Sequence, residues 1–264
     1  MGYPTLTFQT DGDIATIALT RPEKRNAIST QMIADLMAAL DQAESSPARV
    51  LILTGSGKAF CAGMDLEELH ALAGTHSLAK HLEDARRIAK MFYRLYSFPK
   101  PVIAAVNGAA IAGGCGLATL ADITLCVPEA KFGYTEVRIG FLPAIVAVFL
   151  RRQVGEKQAR ELLLTGKIIG AADAVRLGIA NEIVATDLME RAREVALTIL
   201  ECSPSSVMYT KKMFHLHDEK TIRGELELAI EANAEIRSTD DFHEGVAAFL
   251  EKRPPRWSRS KQST

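Results

Sequence analysis

Apolar and polar residues alternate twice near the start of the chain, in TLTFQ and again in ATIALT, with Asp11 and Gly12 between them. A period of two marks a half-buried strand, and Asp-Gly suits a tight turn, so the chain is predicted to open as a hairpin. The period then changes. In STQMIADLMAALDQAE, Met32, Ile33, Leu36, Met37 and Leu40 fall on one helical face, with Ser29 placed to cap it. RVLILTG, ending at Gly55, is a continuous apolar run and reads as a buried strand. A long helix is predicted over about Ser77 to Tyr96, closed by Pro99 and Pro101, with strands at VIAAVNG, ITLCV and NEIVA. From about Gly155 the pattern is mostly helical. A helix over Asp187–Glu201 stops at CSPSS, and Ser205–His215, Thr221–Arg237 and Asp240–Leu250 read as two or three more. The final EKRPPRWSRSKQST, basic and rich in proline, reads as a mobile end. Buried strands alternating with helices predict an α/β fold with right-handed crossovers. The expected layout is a core over residues 1–201 and a helical region over 202–264.

Composition narrows the function. With 264 residues and 48% hydrophobic content, the chain can bury a sizeable core. Its 31 basic and 32 acidic residues leave a net charge of -1, which gives no field to gather nucleic acid or an anionic membrane. No apolar run reaches the ~18 residues of a membrane span. MGYPTLTFQTDGD lacks the basic and apolar regions of a secretory leader, so a cytoplasmic setting is expected. Cys61, Cys115, Cys126 and Cys202 have no zinc-type spacing and read as buried thiols in a reducing compartment.

Several chemistries are excluded by spacing. GSGKAF is not a phosphate-binding P-loop, because Ile52 stands where the first Gly is needed and Ala59 follows Lys58. Neither G-x-S-x-G nor H-E-x-x-H occurs, and His215 and His217 stand apart from other metal-ligating types, so no metal site is expected. One stretch remains to be explained. In VNGAAIAGGCGLATLAD, nine of seventeen residues are Gly or Ala, and Gly113 and Gly114 fall where a helix begins. Such a backbone serves either close helix–strand packing or a ligand gripped by main-chain N–H groups.

Three segments that each follow a predicted strand carry a resemblance: FCAGMDLEEL, VNGAAIAGGCGLA and KFGYTEVRIGFLP. Together, in this order, they resemble the crotonase superfamily, the enoyl-CoA hydratase/isomerase family. The likeness runs from LTRPEKRNAIS through LLLTGKIIGAADAVRLGIANEIV to FLEKRPPRW, nearly the whole chain. The resemblance implies a spiral of ββα units and a C-terminal helical region that makes trimer contacts, with hexamers as dimers of trimers. It implies an acyl-CoA thioester as substrate and no separate cofactor, coenzyme A being part of the substrate. Its partners would then be that thioester and further copies of itself. By the same resemblance the backbone N–H groups of Met64 and Gly113 stabilise the charge that develops on the thioester oxygen, one such donor typically being worth ~3 kcal/mol. Glu136 matches the catalytic acid/base. Arg25, Ala27, Ala62, Asp65 and Leu66 match positions along the coenzyme A channel, with Arg25 or Lys24 facing the phosphates. Phe249 and Lys252 match C-terminal positions that approach coenzyme A, often from a neighbouring subunit.

One departure is specific. Ordinary hydratases of the family keep a second glutamate after GGC, where this chain has Gly116. TEVRIGFLPAIVAVFL is similar to the one-glutamate, methylglutaconyl-CoA-hydratase-like group, and Pro143-Ala144-Ile145 puts bulk where ordinary hydratases have a flexible Gly-rich run. A single glutamate can still return the proton it took. The expected function is therefore a hydratase-type lyase acting on a short or branched 2-enoyl-CoA. The alternatives are a one-glutamate Δ3,Δ2-enoyl-CoA isomerase and a non-catalytic acyl-CoA-binding paralogue. The space beside Gly116 is expected to hold the acyl chain or an ordered water. Glu67, Glu68 and His70 are expected on a solvated helix face.

Overall fold

The hairpin forms as read. Strands β1 (Leu6–Asp11) and β2 (Ile14–Leu19) pair antiparallel in a computed structural model that describes residues 2–75 and 77–257. Helix α1 (Thr30–Ser45) follows, its first turn capped by Ser29 Oγ, which accepts from the Met32 N–H at 3.1 Å.

The chain then repeats one move. A strand joins the first sheet, a strand of three residues joins a second sheet, and a helix or helical turn follows. The first round is β3 (Val50–Gly55), β4 (Ala59–Cys61) and α2 (Leu66–Ala73), with α3 (Leu78–Tyr96) behind it. The second is β5 (Val102–Val106), β6 (Ala109–Ile111) and α4 (Gly113–Thr119). The third is β7 (Ile123–Cys126), β8 (Lys131–Gly133) and a 3-10 turn (Glu136–Ile139) that leads into α5 (Ala144–Val154). Next come α6 (Glu156–Thr165), β9 (Ile168–Gly170), α7 (Ala171–Leu177), β10 (Glu182–Ile183) and α8 (Leu188–Leu200). The first sheet has the order β1-β2-β3-β5-β7-β10, and the second β4-β6-β8-β9. Because β3, β5 and β7 pair in parallel while β4, β6 and β8 do the same, the rounds stack as a ββα spiral. β3 and β5 are buried along their whole length, as unbroken apolar strands covered on both faces must be.

Of the two or three helices expected in the C-terminal region, the described residues form two. Ser205–His215 and Thr221–Arg237 are not separate helices but lie in one helix, α9 (Pro204–Ile236), of 33 residues. The intervening LHDEK is polar but has neither Gly nor Pro, so nothing in it stops helical hydrogen bonding. α9 packs on α3 and α5, and α10 (Asp240–Leu250) packs on α2 and the 3-10 turn. Just past α9, Arg237 is fully buried, with its guanidinium donating to Asp84 of α3 (2.7 Å) and to Asn233 (2.8 Å).

Two smaller expectations are also corrected. Cys202 is exposed, beyond the end of α8, whereas Cys61, Cys115 and Cys126 are buried. The chain after α10 is held in place as far as it is described. Arg253 makes two contacts to the Glu244 carboxylate, at 2.6 and 2.9 Å, and the Arg256 N–H donates to the same group. The rest of the segment expected to be mobile, 258–264, lies outside the described residues. Among those residues, no helix is long and apolar enough to cross a membrane.

Candidate active site

A cavity of about 410 Å³ opens where the three rounds of the spiral meet α5 and the C-terminal helices. Its wall is assembled from short turns, each fixed by a separate local device. The first is RNA, in RPEKRNAIS. Arg25 and Asn26 both adopt positive φ, at 52° and 56°. Left-handed backbone is costly for a residue with a side chain, and Asn is among the few types that tolerate it well. The buried Asn26 amide holds the turn by accepting from the Arg21 N–H and donating to the Ser56 and Ala59 carbonyls, each at 2.9 Å. Arg25 thereby lines the cavity, and its guanidinium has no ion-pair partner among the described residues. Lys24 instead pairs with Glu67 at 2.7 Å, and Glu68 accepts from the Thr30 N–H, while Glu67, Glu68 and His70 form the expected solvated face of α2.

Two further turns converge on each other. Ile28 and Met64 form an isolated parallel bridge, in which the Ile28 N–H donates to the Gly63 carbonyl and the Asp65 N–H donates to the Ile28 carbonyl. A parallel bridge uses the groups flanking Met64, so Met64's own N–H points to the other side. That side faces the start of α4. A Cβ added to Gly63 would lie 2.9 Å from the Ala112 Cβ and 3.4 Å from the Gly113 N. Ala112 itself is held at φ 51°, a strained value for a residue with a side chain, and its N–H donates to the Gly133 carbonyl. Among the described residues neither the Met64 nor the Gly113 N–H has a protein acceptor. Two unspent backbone donors thus stand side by side on the cavity wall, the arrangement needed to hold a developing oxyanion.

The paired glycines divide the two roles that the sequence left open. A Cβ on Gly114 would overlap the Cys61 carbonyl, so Gly114 serves close packing of α4 on β4. A Cβ on Gly113 would make only ordinary contacts, 3.4 Å from Ile28, 3.5 Å from Phe92 and 3.9 Å from the Met64 sulfur. The fold does not demand glycine at 113.

Glu136 opens the 3-10 turn and lines the cavity while only 7% exposed. Its Oε2 is buried with no hydrogen-bond partner. Burial without a counter-charge penalises the ionised form, and the carboxyl is pushed up from 4.5 to about 7. A group half-ionised near neutrality can both accept and donate a proton. The neighbouring thiols cannot compete for such a role. Burial holds Cys61 and Cys115 each up at about 12, so neither is a thiolate nucleophile at neutral pH.

Of the residues singled out in the sequence, Arg25, Ala62, Met64, Leu66, Gly113, Glu136 and Phe249 line this cavity. Phe249 belongs to the same chain as Glu136. Ala27, Asp65 and Lys252 lie outside the lining. Arg21 links two of these, donating to the Ala27 carbonyl at 2.8 Å and to the Asp65 carboxylate at 3.1 Å, while Asp65 caps α2. Sequence reasoning missed Arg138, Asn233 and Arg253, which also line the cavity. The last two come from the C-terminal region, whose approach to the site no local pattern announces. The space beside Gly116 holds neither of its expected occupants, because Val146 and Phe92 fill it. Among the described residues no His, Cys, Asp and Glu cluster could hold a metal ion.

The enoyl-CoA hydratase/isomerase family model matches residues 9–260. A Thermus thermophilus protein named "Putative enoyl-CoA hydratase" is 42% identical over 93% of this chain and 98% of its own. The 2,3-dehydroadipyl-CoA hydratase of Escherichia coli is 33% identical over 90% of this chain and 92% of its own. The crystal structure of an enoyl-CoA hydratase/isomerase from Xanthobacter autotrophicus superposes with a TM-score of 0.87 at 30% identity, covering 97% of this chain and 100% of that one.

Two outcomes follow from the site's geometry. Gly114→Ala is expected to lose roughly 1–3 kcal/mol of stability in urea unfolding, as overpacking against a backbone does, while Gly113→Ala stays within ~1 kcal/mol of wild type. Equal losses at both positions would contradict the division of roles. The second concerns Glu136→Gln. Because the folded-state carboxyl titrates above its unfolded value, wild type loses stability as pH rises from 4.5 to about 7. That gap corresponds to ~3 kcal/mol. Relative to wild type, Glu136→Gln should therefore gain up to ~3 kcal/mol between pH 4.5 and neutrality, with no further gain above that range. A stability difference independent of pH would show that the carboxyl is not desolvated.

Proposed function

The chain belongs to the enoyl-CoA hydratase/isomerase family, and from that premise we propose that it hydrates a short or branched 2-enoyl-CoA, with Glu136 as its single acid/base. The observation that carries this reading is the buried Glu136 carboxyl, its Oε2 without a hydrogen-bond partner, lining the same cavity as the free Met64 and Gly113 N–H groups. The thioester oxygen sits between those two donors. The ionised Glu136 takes a proton from water as the water oxygen bonds to C3. The π electrons of C2=C3 pass to the thioester oxygen as an enolate, which the two N–H groups stabilise. Glu136 then returns its proton to C2 as the carbonyl reforms, and the net result is addition of one water. The resemblance of TEVRIGFLPAIVAVFL to the one-glutamate, methylglutaconyl-CoA-hydratase-like group supports chemistry by one acid.

Arg25 and Arg138, exposed and without ion-pair partners among the described residues, are the cations offered to the coenzyme A phosphates. Ala62 and Leu66 border the channel for the pantetheine arm and Phe249 closes it, with Ala27, Asp65 and Lys252 acting from outside the lining. The N-terminal half of α9 leaves Met208, Tyr209, Met213, Phe214 and Leu216 between 48% and 73% exposed, and we assign this face to self-association as a trimer or hexamer.

The filled space beside Gly116 supports a second reading. With no other carboxylate lining the cavity among the described residues, Glu136 could instead move a proton between C2 and C4, which isomerises a 3-enoyl-CoA without water. Loss of the conjugated enoyl absorbance, with oxygen-18 incorporation from labelled water, identifies hydration. Gain of that absorbance from a 3-enoyl-CoA identifies isomerisation. Under either reading, Glu136→Gln should lower turnover at least ~100-fold with acyl-CoA binding retained. In wild type, kcat/KM should rise with pH and level off above about 7, as the base ionises. Turnover by Glu136→Gln close to the wild-type rate would refute the assignment.

A further inference from the structure

Gly116 is fully enclosed within α4. A Cβ built there would lie 2.7 Å from Val146 Cγ1 and 3.0 Å from the nearest Phe92 ring atom. Both side chains also line the cavity that contains Glu136. They reach α4 from different elements, Phe92 from α3 and Val146 from the first turn of α5. Phe92 belongs to the central core at 1% exposure, and its ring also faces the Cβ position of Gly113. Val146 is 6% exposed and follows Pro143, Ala144 and Ile145, which line the same side of the cavity.

From these contacts we propose that Val146, backed by Phe92, is the specificity-determining wall of the acyl cavity. It closes the cavity over Gly116 and sets how much branching the acyl group may carry. The acyl-CoA identity of the ligand rests on the functional reading above, whereas the wall itself rests on the contacts at Gly116. A β-branched side chain in a helix is held in one preferred rotamer, so the Val146 methyl cannot swing aside to admit a larger group. The Phe92 ring, 1% exposed and set in the central core, backs Val146 from the α3 side. Val146→Ala removes the methyls that fill this volume and leaves the backbone and Glu136 untouched. Methylene-sized changes in an apolar pocket alter discrimination by roughly 10–200-fold.

The test uses the full-length protein and two readouts. Calorimetric binding of butyryl-CoA and isovaleryl-CoA, both saturated and therefore not turned over, reads the cavity shape apart from the chemistry. Val146→Ala should shift the affinity ratio toward isovaleryl-CoA by at least ~10-fold. A ratio is insensitive to partial unfolding, because both ligands then lose the same fraction of sites. The second readout is a thermal-unfolding cycle with Gly116→Ala, Val146→Ala and the double variant. Gly116→Ala should lower the melting temperature in wild type and lower it far less when residue 146 is Ala, because the 2.7 Å contact is then gone. An unchanged affinity ratio, or strictly additive shifts in melting temperature, would overturn the proposal. If wild type binds both ligands but turns over no enoyl-CoA, the functional reading fails and the ratio still judges the wall. If it binds neither, the cavity is not an acyl-CoA site and both readings fall.

Discussion

A carboxyl group taken out of water and given no partner keeps its proton, and it costs stability whenever it is forced to ionise. Glu136, buried and with its Oε2 unpartnered, is close to that position, and much of the structure around it keeps it there. The 3-10 turn that carries it ends at Gly140, whose φ of 66° turns the chain back toward α5. α10 lies directly on this turn. A side chain at Gly140 would overlap the Asp241 backbone, and one at Gly245 would overlap the Ile139 carbonyl. These two close approaches let the C-terminal helix seal the turn, with the Phe141 and Phe242 rings in tilted contact beside it, centroids 5.2 Å apart. The helical region that follows the spiral is therefore part of what tunes the acid.

The other half of the site depends on backbone rather than on side chains. Arg25, Asn26 and Ala112 all hold positive φ, and each is fixed by hydrogen bonds to a neighbouring round of the spiral. Strain of this kind, of order 1–3 kcal/mol per residue, persists only where the surroundings over-determine it. Here it leaves the Met64 and Gly113 N–H groups unspent and adjacent. The repeated move of the chain, from a strand in one sheet to a short strand in the other, brings turns far apart in sequence to a common wall.

The sequence reveals what is periodic or what occurs as a motif. The hairpin, α1, α3, β3 and β5 show through their apolar spacing, and Glu136, Met64 and Gly113 through the order of three motifs. The second sheet does not show, because strands of three residues such as Ala59–Cys61 are too short to display a period. The continuity of α9 is not legible because polar residues dominate its middle, although none of them breaks a helix. Gly116 shows the limit most clearly. Its lack of a side chain is legible, but what fills the space is not, since Val146 and Phe92 lie 30 and 24 residues away along the chain. Asn233 and Arg253 join the cavity through tertiary packing alone.

Glu136 is desolvated enough to titrate near neutrality. Difference infrared spectroscopy measures this directly. The carboxylic-acid C=O band of wild type, identified by its absence in Glu136→Gln, should lose half its intensity near pH 7, as a carboxyl raised to about 7 requires. Complete loss of that band by the ordinary glutamate value of 4.5 would mean that water or a cation reaches Glu136, and would contradict the account.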